Sequence, residues 1–366
     1  MTIYKAAIKP LLFRADPEKV HDRIIKIGSF LGRCAATRKL AAISFGYRHD
    51  SLTQTIDGIK YLNPVGLAAG FDKNANLTEI IPAVGFGFEE IGSVTALPCM
   101  GNPKPRLWRL PQHRSLVVNY GLKNEGCEAI AEKLRFLQTR GKRSSPLGIS
   151  IAKTNCKKTA EADDAVLDYH ESLTVLEPFA DYITINISCP NAFGGQPFSS
   201  PKLLELLLAK LDAVKTTKPR YIKISPDLSI KEVEDIISVS GRHNIQGFIV
   251  SNLLKNRKKS GLPPETFSKV VNGGLSGKPV EKFANKIISH IYIKTKGKYT
   301  IIGCGGIFNA DDAYAKIRAG ADLVQLITGM IYEGPGLIKD INKGLVVLLK
   351  RDGLANISEA VGIDCK

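Results

Sequence analysis

The stretch that decides the fold is Tyr182-Ile183-Thr184-Ile185-Asn186-Ile187-Ser188-Cys189-Pro190-Asn191. Its first half alternates apolar residues as a buried strand does, and Asn186 ends that strand with an amide side chain. Pro190 fixes its own φ and favours an extended Cys189, so the thiol stands on a defined loop. Two amides and a thiol at the carboxyl end of a strand suit proton chemistry on a polar ring. A strand that leads into an Asn-rich turn with a buried cysteine explains the stretch equally well.

The same unit, a short apolar strand followed by a longer helical stretch, recurs along the chain from residue 65 onward. Strands are predicted at 65–69, 89–93, 147–151, 182–187, 220–224, 247–251, 300–304 and 322–327. Helices are predicted at 74–84, 124–138, 160–178, 200–217, 229–243, 279–295, 309–319 and 335–350. Eight strands, each followed by a helix, predict an α/β fold of the (β/α)8 TIM-barrel class, because a six-stranded open sheet would leave two strands unplaced.

A basic amphipathic segment precedes this repeat. Asp16 and Pro17 predict a helix start, and Val20, Ile24 and Ile27 follow at helical spacing among lysines and arginines. We therefore divide the chain into a short N-terminal helical extension (residues 1–45), a barrel (residues 46–350) and a C-terminal tail (residues 351–366). The extension is either a lid packed on the barrel or a surface, centred on residues 1–40, that meets a membrane or admits an apolar co-substrate.

Composition excludes several classes of protein. The net charge of +16 is spread along the chain without a nucleic-acid-binding motif, so no nucleic-acid partner is expected, and anionic ligands or an anionic membrane surface explain the charge. The 7 cysteines are odd in number and lack a CxxC pair, and the 6 histidines lack metal-ligand spacing, so neither disulfides nor a metal is expected. The N-terminal sequence has no signal-peptide pattern and no long apolar run, so we expect a cytoplasmic protein, optionally peripheral on the inner membrane.

Polar residues and glycines follow the predicted strands. The strand ends carry Gly, Ser, Thr, Asn and Lys, and barrel enzymes build their sites at that face. Glycines occur at 274 and 277, at 305–306 and at 329, around the last two strands. Bare backbone N–H groups in these loops bind phosphate in barrels, so a phosphorylated cofactor is predicted.

Seven stretches together resemble the dihydroorotate dehydrogenases, the flavin enzymes of pyrimidine synthesis. They are residues 12–18, 66–73, 104–110, 186–191, 223–229, 273–277 and 301–307. The leading stretch before the barrel is similar to that of the membrane-associated, quinone-using class 2 enzymes.

This resemblance implies an FMN cofactor across the barrel mouth, oxidation of dihydroorotate to orotate, and a quinone acceptor. Cys189 would take the substrate proton and the flavin N5 the hydride. The implied cofactor-binding residues are Ala69, Gly70, Lys73, Ser93, Ser150, Asn186, Lys223, Ser251, Gly277, Gly306, Ile327 and Thr328. The implied substrate-binding residues are Lys73, Asn119, Tyr120, Gly121, Leu122, Asn186, Asn191 and Asn252.

The chain departs from the class 2 pattern around the substrate. Cys189 stands where class 2 enzymes have serine, and a thiol with its lower pKa is the easier base. The other departures are Val118 for Asn, Asn119 for a basic residue, Ser150 for Asn, Leu253 for Thr or Ser, and Ile327 for Tyr. Two alternatives therefore stay open: a flavin enzyme of the same scaffold that acts on another small cyclic amide or carboxylate, and a flavin-free barrel whose glycine loops hold some other phosphate.

Overall fold

The computed structural model describes residues 4–189, 191–270 and 272–365. Its helices are α1 (Lys9–Arg14), α2 (Pro17–Arg33), α3 (Ala35–Phe45), α4 (Cys127–Thr139), α5 (Ala162–Leu176), α6 (Pro201–Leu211), α7 (Ile230–Ser240), α8 (Glu281–Thr295), α9 (Ala310–Arg318), α10 (Thr328–Glu333) and α11 (Leu337–Arg351). Its strands are β1 (Gln54–Ile56), β2 (Ile59–Tyr61), β3 (Val65–Leu67), β4 (Phe88–Val94), β5 (Leu107–Leu110), β6 (Ser115–Val118), β7 (Leu147–Ile151), β8 (Tyr182–Asn186), β9 (Arg220–Ile224), β10 (Gly247–Val250), β11 (Gly274–Leu275), β12 (Thr300–Cys304) and β13 (Leu323–Leu326).

Eight parallel strands close into a barrel in the order β3-β4-β7-β8-β9-β10-β12-β13. The predicted (β/α)8 TIM barrel with an N-terminal helical extension is thereby confirmed. The register places Asn186 level with Lys223, and Ser150 level with Thr184. Because all eight strands are parallel, their carboxyl ends meet around one mouth.

The opposite end of the barrel is filled with aromatic side chains and covered by the antiparallel hairpin β1–β2. The buried rings there are Tyr61, Phe88, Tyr182 and Tyr221. Asp57, in the hairpin turn, accepts hydrogen bonds from the hydroxyls of Tyr221 (2.7 Å) and Thr300 (2.8 Å). Side chains fill this end of the barrel, as they do in barrel interiors generally. The space for a ligand therefore lies at the carboxyl ends of the strands.

The helix predicted at 74–84 is wrong. The structure has turns there and only a short 3-10 helix, Ile81–Val84. The buried carboxylate of Asp72 accepts the backbone N–H groups of Asn74, Asn76 and Leu77, and these bonds hold the segment against the end of β3. Ala75 has φ 54°, in the left-handed region, and this conformation interrupts a right-handed helix.

A three-stranded antiparallel sheet that the sequence did not reveal lies beside the barrel mouth. It has the order β11-β6-β5, with Val118 paired to Gly274 and also to Leu107. The strands are two to four residues long, and β11 falls within the glycine-rich stretch before α8. We therefore name this element the mouth sheet.

The predicted start of α2 is confirmed, because Asp16 caps the helix through the backbone N–H of Lys19 (2.8 Å) and Pro17 occupies its first position. The helix packs closely on the loop after β3. A Cβ at Gly28 would lie 2.6 Å from Leu77 Cδ2, and one at Gly32 would lie 3.4 Å from the Glu79 side chain.

The outer face of the extension is apolar and exposed. Phe30 is 72% exposed and Ile43 is 68% exposed, and other exposed apolar residues are Leu11, Ile27 and Leu40. In the part of the chain that the structure describes, no helix has the length and apolar character to cross a membrane. At the other terminus, the 3-10 helix Ile357–Ala360 buries Ile357 and Ala360 in the same core cluster as α9 and α11.

Candidate active site

A cavity of about 400 Å³ opens at the barrel mouth and continues beneath the N-terminal extension. We call it the main cavity. Its polar end lies at the strand ends and is lined by Lys73, Asn186, Cys189, Asn191, Lys223 and Asn252. Its apolar end lies under α1 and α2 and is lined by Leu12, Phe13, Val20, Ile24, Ile331 and Pro335.

Most of the residues predicted for the cofactor and substrate meet in this one cavity. Besides the polar-end residues, those that line it are Ala69, Gly70, Ser93, Tyr120, Gly121, Leu122, Ser251, Gly277, Gly306, Ile327 and Thr328. Val118 and Leu253, two of the departures from the family pattern, line it too.

Two predicted residues do not line the main cavity. Ser150 is buried behind Ser93, with the two Oγ atoms 2.7 Å apart. Asn119 lines a separate groove, and its Oδ1 accepts a hydrogen bond from Asn102 Nδ2 at 3.1 Å. Successive residues of an extended chain point to opposite sides, so Val118 faces the cavity and Asn119 faces away from it.

The amides at the polar end hold one another in place. Asn186 Nδ2 donates to Ser93 Oγ at 2.8 Å, while Asn186 Oδ1 accepts from the backbone N–H and the hydroxyl of Ser188. Asn252 Nδ2 donates to Ser188 Oγ at 3.0 Å, and Asn191 Nδ2 donates to the Val118 carbonyl at 2.9 Å. Side chains fixed in this way need little reorganisation to bind a planar polar ring.

Cys189 follows Asn186 on the loop after β8. Burial raises the pKa of its thiol to about 11, against the opposing effects of the Asn191 backbone N–H and the positive charge of Lys153. The sequence argument that cysteine is an easy base near neutral pH therefore needs correction for this environment, although a serine hydroxyl would titrate higher still.

Lys73 contacts a residue that the sequence analysis missed. Its Nζ lies 3.1 Å from Nε2 of His21, a residue of α2, and 4.2 Å from the centre of the Tyr120 ring. Desolvation, with the charge of Lys123, lowers the pKa of Lys73 to about 8. Desolvation and the charge of Lys73 lower the pKa of His21 to about 2, so this imidazole is neutral and accepts the lysine N–H. No local sequence pattern marked His21, because only its apolar neighbours entered the helical periodicity.

Lys223, on β9, lines the polar end, and its ammonium group is paired with Glu90 in the barrel interior. Its Nζ lies 3.4 Å from Glu90 Oε1, and both side chains are buried. The other oxygen of Glu90 accepts from Thr184 Oγ1 (3.0 Å) and Gln325 Nε2 (2.9 Å). Glu90 thus ties Lys223 to three strands of the barrel interior.

Two glycines form a cradle at the side of the mouth formed by the last strands. Gly277 (φ 79°) and Gly306 (φ 83°) have left-handed backbones, and a Cβ at Gly306 would lie 2.4 Å from Glu281 Cβ. Within the described ranges, the N–H groups of these two glycines donate no hydrogen bond. α10 begins beside them at Thr328, whose hydroxyl lies 2.8 Å from Ser276 Oγ. Free N–H groups and hydroxyls together suit a phosphate group.

The extension is joined to the segment before the mouth sheet by a buried ion pair. Glu18, in the first turn of α2, binds Arg106 at 2.7 Å, and both side chains are 5% exposed. Burial alone would raise the pKa of Glu18, but the hydrogen bond and charge of Arg106 outweigh it and hold the pKa below its ordinary value. The guanidinium of Arg106 also donates to the carbonyls of Met100 and Asn102, at 2.8 Å each.

A closed parallel barrel with free backbone N–H groups and a fixed set of amides at its mouth is typical of (β/α)8 enzymes whose site lies at the strand ends. The family model described as dihydroorotate dehydrogenase matches residues 51–349. The chain belongs to the dihydroorotate dehydrogenase family, whose members are flavin-dependent dehydrogenases.

Full-length relatives agree with this assignment. The chain is 37% identical to dihydroorotate dehydrogenase (quinone) of Acaryochloris marina over 378 residues, which cover 99% of this chain and 100% of the relative. It is 40% identical to the enzyme of the same name from Rippkaea orientalis, with 96% of each chain covered.

Solved structures from Eimeria tenella have the same architecture. The crystal structure of its DHODH in complex with ferulenol has a TM-score of 0.82 and 31% identity, covering 95% of this chain and 96% of that chain. The ligand-free type has a TM-score of 0.83 and 31% identity, covering 96% and 100%.

Proposed function

We propose that this chain oxidises dihydroorotate to orotate with FMN as cofactor and transfers the electrons to a quinone, as in pyrimidine biosynthesis. The observation that carries the proposal is the main cavity, in which a polar end with a thiol, amides and two lysines is continuous with an apolar end. A polar ring acid and an apolar acceptor can therefore reach the same cofactor from two sides.

The residues at the mouth fit FMN. Gly277, Gly306 and Thr328 would hold its phosphate, since all three line the main cavity and the N–H groups of the two glycines donate no hydrogen bond within the described ranges. Lys223 would donate to the electron-rich edge of the ring system, and Ser93 and Asn186 would line its inner side. When bound, FMN supplies the hydride acceptor and transfers electrons to the second substrate.

Cys189 would take the proton from the substrate carbon. Its thiol has a pKa of about 11, so only a small fraction is thiolate at neutral pH, and that fraction rises with pH. Lys73 would bind the carboxylate of the ring acid, and the amides of Asn186, Asn191 and Asn252 would orient the ring. Ser150 would not touch the cofactor directly but would hold the hydroxyl of Ser93 in position beside it. For Asn119 to contact the substrate, its side chain would have to turn out of the separate groove.

A second candidate function is favoured by two apolar side chains that line the main cavity. Val118 and Leu253 line the main cavity where the family resemblance implies polar side chains. Each hydrogen bond lost to a buried substrate group costs about 1–3 kcal/mol. The alternative is therefore a flavin enzyme of the same scaffold whose substrate is another small cyclic amide or carboxylate.

The extension would supply the acceptor side of the enzyme. Its helices form the apolar end of the main cavity, and their outer face combines exposed apolar residues such as Phe30 with basic residues such as Lys26. This combination suits peripheral contact with an anionic bilayer, at the cytoplasmic side of the inner membrane. Residues 1–45 would then be the quinone- and membrane-facing unit, residues 46–350 the FMN-binding barrel, and residues 351–366 a tail.

An anaerobic substrate screen tests the proposal. The purified holoenzyme should be yellow, and dihydroorotate should bleach its flavin band at about 450 nm before any acceptor is added. Adding a short-chain quinone should then restore the colour. Protein without a flavin that cannot be loaded with FMN would exclude both flavin functions. A flavin that is bleached by another cyclic amide and not by dihydroorotate would favour the second candidate.

A further inference from the structure

A second recess lies outside the wall of the main cavity. It has a volume of about 580 Å³, and we call it the outer groove. Its lining consists of Asn102, Pro103, Asn119, Asn191, Lys255, Arg257, Asn272 and Gly273. Four amides and two cations line it, and among the described residues of that lining none is acidic.

A single layer of residues separates the outer groove from the polar end of the main cavity. Asn191 lines both spaces. Val118 faces the cavity while its neighbour Asn119 faces the groove. The backbone on the groove side is in close contact with this layer, since a Cβ at Gly273 would lie 2.8 Å from the Val118 carbonyl oxygen. A ligand in the groove would therefore contact Asn191, which also lines the polar end of the main cavity.

In the described part of the chain, neither cationic side chain of the groove forms an ion pair. Arg257 is anchored by the carbonyls of Gly273 (3.1 Å) and Val270 (3.0 Å), which are neutral partners. The nearby carboxylate of Asp227 accepts the backbone N–H groups of Lys255 (2.6 Å) and Asn256 (3.1 Å). In the part of the chain that the structure describes, the exposed ammonium of Lys255 has no hydrogen-bond or ion-pair partner.

The outer groove suits an anionic substrate better than the apolar end of the main cavity does. The passage under the extension is lined by Leu12, Val20 and Ile24, and moving a carboxylate through an apolar passage is costly. A cationic, amide-lined groove on the other side of the wall has the opposite character, and it raises the local concentration of anions.

We propose that the outer groove is a recruitment subsite for carboxylate anions, at which dihydroorotate binds before it enters the main cavity and through which orotate leaves. This inference rests on the proposed function. Lys255 is the first cation that the anion meets, and Arg257, held rigidly by backbone carbonyls, is the second. The amides of Asn102 and Asn119 lie beside them for the polar ring.

The experiment uses FMN-loaded Lys255→Gln holoenzyme and anaerobic stopped-flow reduction at a series of dihydroorotate concentrations. At low ionic strength the apparent Kd for dihydroorotate should rise by about 3- to 10-fold, while the limiting reduction rate stays within about twofold. The difference from wild type should shrink as ionic strength rises to about 0.5 M, because salt screens an exposed charge. Lys255→Glu should show a larger rise in Kd of the same kind.

Lys258→Gln is the matched control. It removes the same charge from the same exposed segment, but Lys258 does not line the groove, so its Kd should stay within about twofold of wild type. Equal Kd values for Lys255→Gln and wild type, or equal losses in both variants, would overturn the subsite. So would a lower limiting rate at unchanged Kd, because Lys255 would then act on the Cys189 thiol instead. Wild-type flavin that dihydroorotate fails to bleach would overturn the proposed function itself, which is a separate result.

Discussion

The two ends of the main cavity are built in different ways. The polar end is made from the ends of eight hydrogen-bonded strands, and its side chains are fixed by neighbours, as Asn186 is by Ser93 and Ser188. The apolar end is made from two helices that lie outside the barrel, and much of their other face is exposed. Under the proposed function, the chemistry lies on the rigid scaffold, and access for an apolar partner lies in an added element that can change without altering the barrel.

The largest effect is expected at the polar end, from replacing Cys189. Replacement by alanine should retain the flavin but slow its reduction by dihydroorotate about 10²- to 10⁴-fold, because the proton acceptor is lost. Cys189→Ser should be intermediate, and the wild-type limiting rate should rise with pH towards the thiol pKa of about 11. Stopped-flow absorbance measures both effects. Cys304→Val removes a second thiol from the same cavity and should change the rate by less than about threefold. An unchanged rate in Cys189→Ala would reject this residue as the base.

The ion pair between Glu18 of the extension and the barrel domain can be broken at Arg106. Arg106→Met leaves the buried carboxylate of Glu18 without its main partner and should cost about 3 kcal/mol, since unpairing a buried charge is expensive. Thermal unfolding of the holoenzyme should show this as a lower Tm. The stabilisation from Glu18 should be present above its ordinary pKa and lost as pH falls through the lowered one.

Lys104→Met is the control for this prediction. Lys104 lies 3.6 Å from the same carboxylate but is 63% exposed, so the loss should stay below about 1 kcal/mol. If both variants lower Tm equally, the buried pair does not anchor the extension.

Lys73 should make substrate binding weaker at high pH, whereas Cys189 should make the limiting reduction rate higher at high pH. The ammonium of Lys73 is charged below a pKa of about 8 and loses its charge above it. The Kd for dihydroorotate should therefore be constant below about pH 8 and rise up to tenfold per pH unit above it. The Lys73→Met variant should bind the substrate weakly at every pH and lose this rise. A rise of equal steepness in the variant would assign the pH dependence to another group.

The apolar end can be altered alone at Val20. Val20→Trp should fill part of the passage and lower kcat/KM for a quinone by about 5- to 10-fold, while reduction by dihydroorotate stays within about twofold. The control is Ile27→Trp, on the same helix but outside the cavity, and 55% exposed. Equal damage to both half-reactions in Val20→Trp would mean that the extension acts only as a structural lid. Deleting residues 1–40 would be a poorer test. It also removes the ion pair of Glu18 with Arg106 and the contact of His21 with Lys73.

Sequence reasoning succeeded where a property repeats locally. Each barrel strand is a short apolar run, so all eight were found, and the strand-end residues that line the cavity followed from the topology. It failed where a single backbone conformation overrides local propensity, as the left-handed φ of Ala75 (54°) does for the helix predicted at 74–84. It also missed the mouth sheet, because its strands lie outside the strand–helix repeat and β11 has only two residues.

Contacts between distant parts of the chain were not visible in the sequence. His21 meets Lys73 across 52 positions, and Arg106 meets Glu18 across 88. Neither pair has a local pattern, since each depends on how α2 docks on the barrel. The opposite orientations of Val118 and Asn119 could have been anticipated, because side chains alternate along an extended segment.

The contact between His21 and Lys73 limits how the molecule can be divided and recombined. A hybrid that takes its first 45 residues from another member of the family would replace the imidazole beside Lys73 along with the rest of the helical extension. Grafting such a segment also transplants part of the lining of the main cavity. A graft compatible with this barrel must therefore match the inner face of the segment to Lys73, whereas its outer face is free to differ.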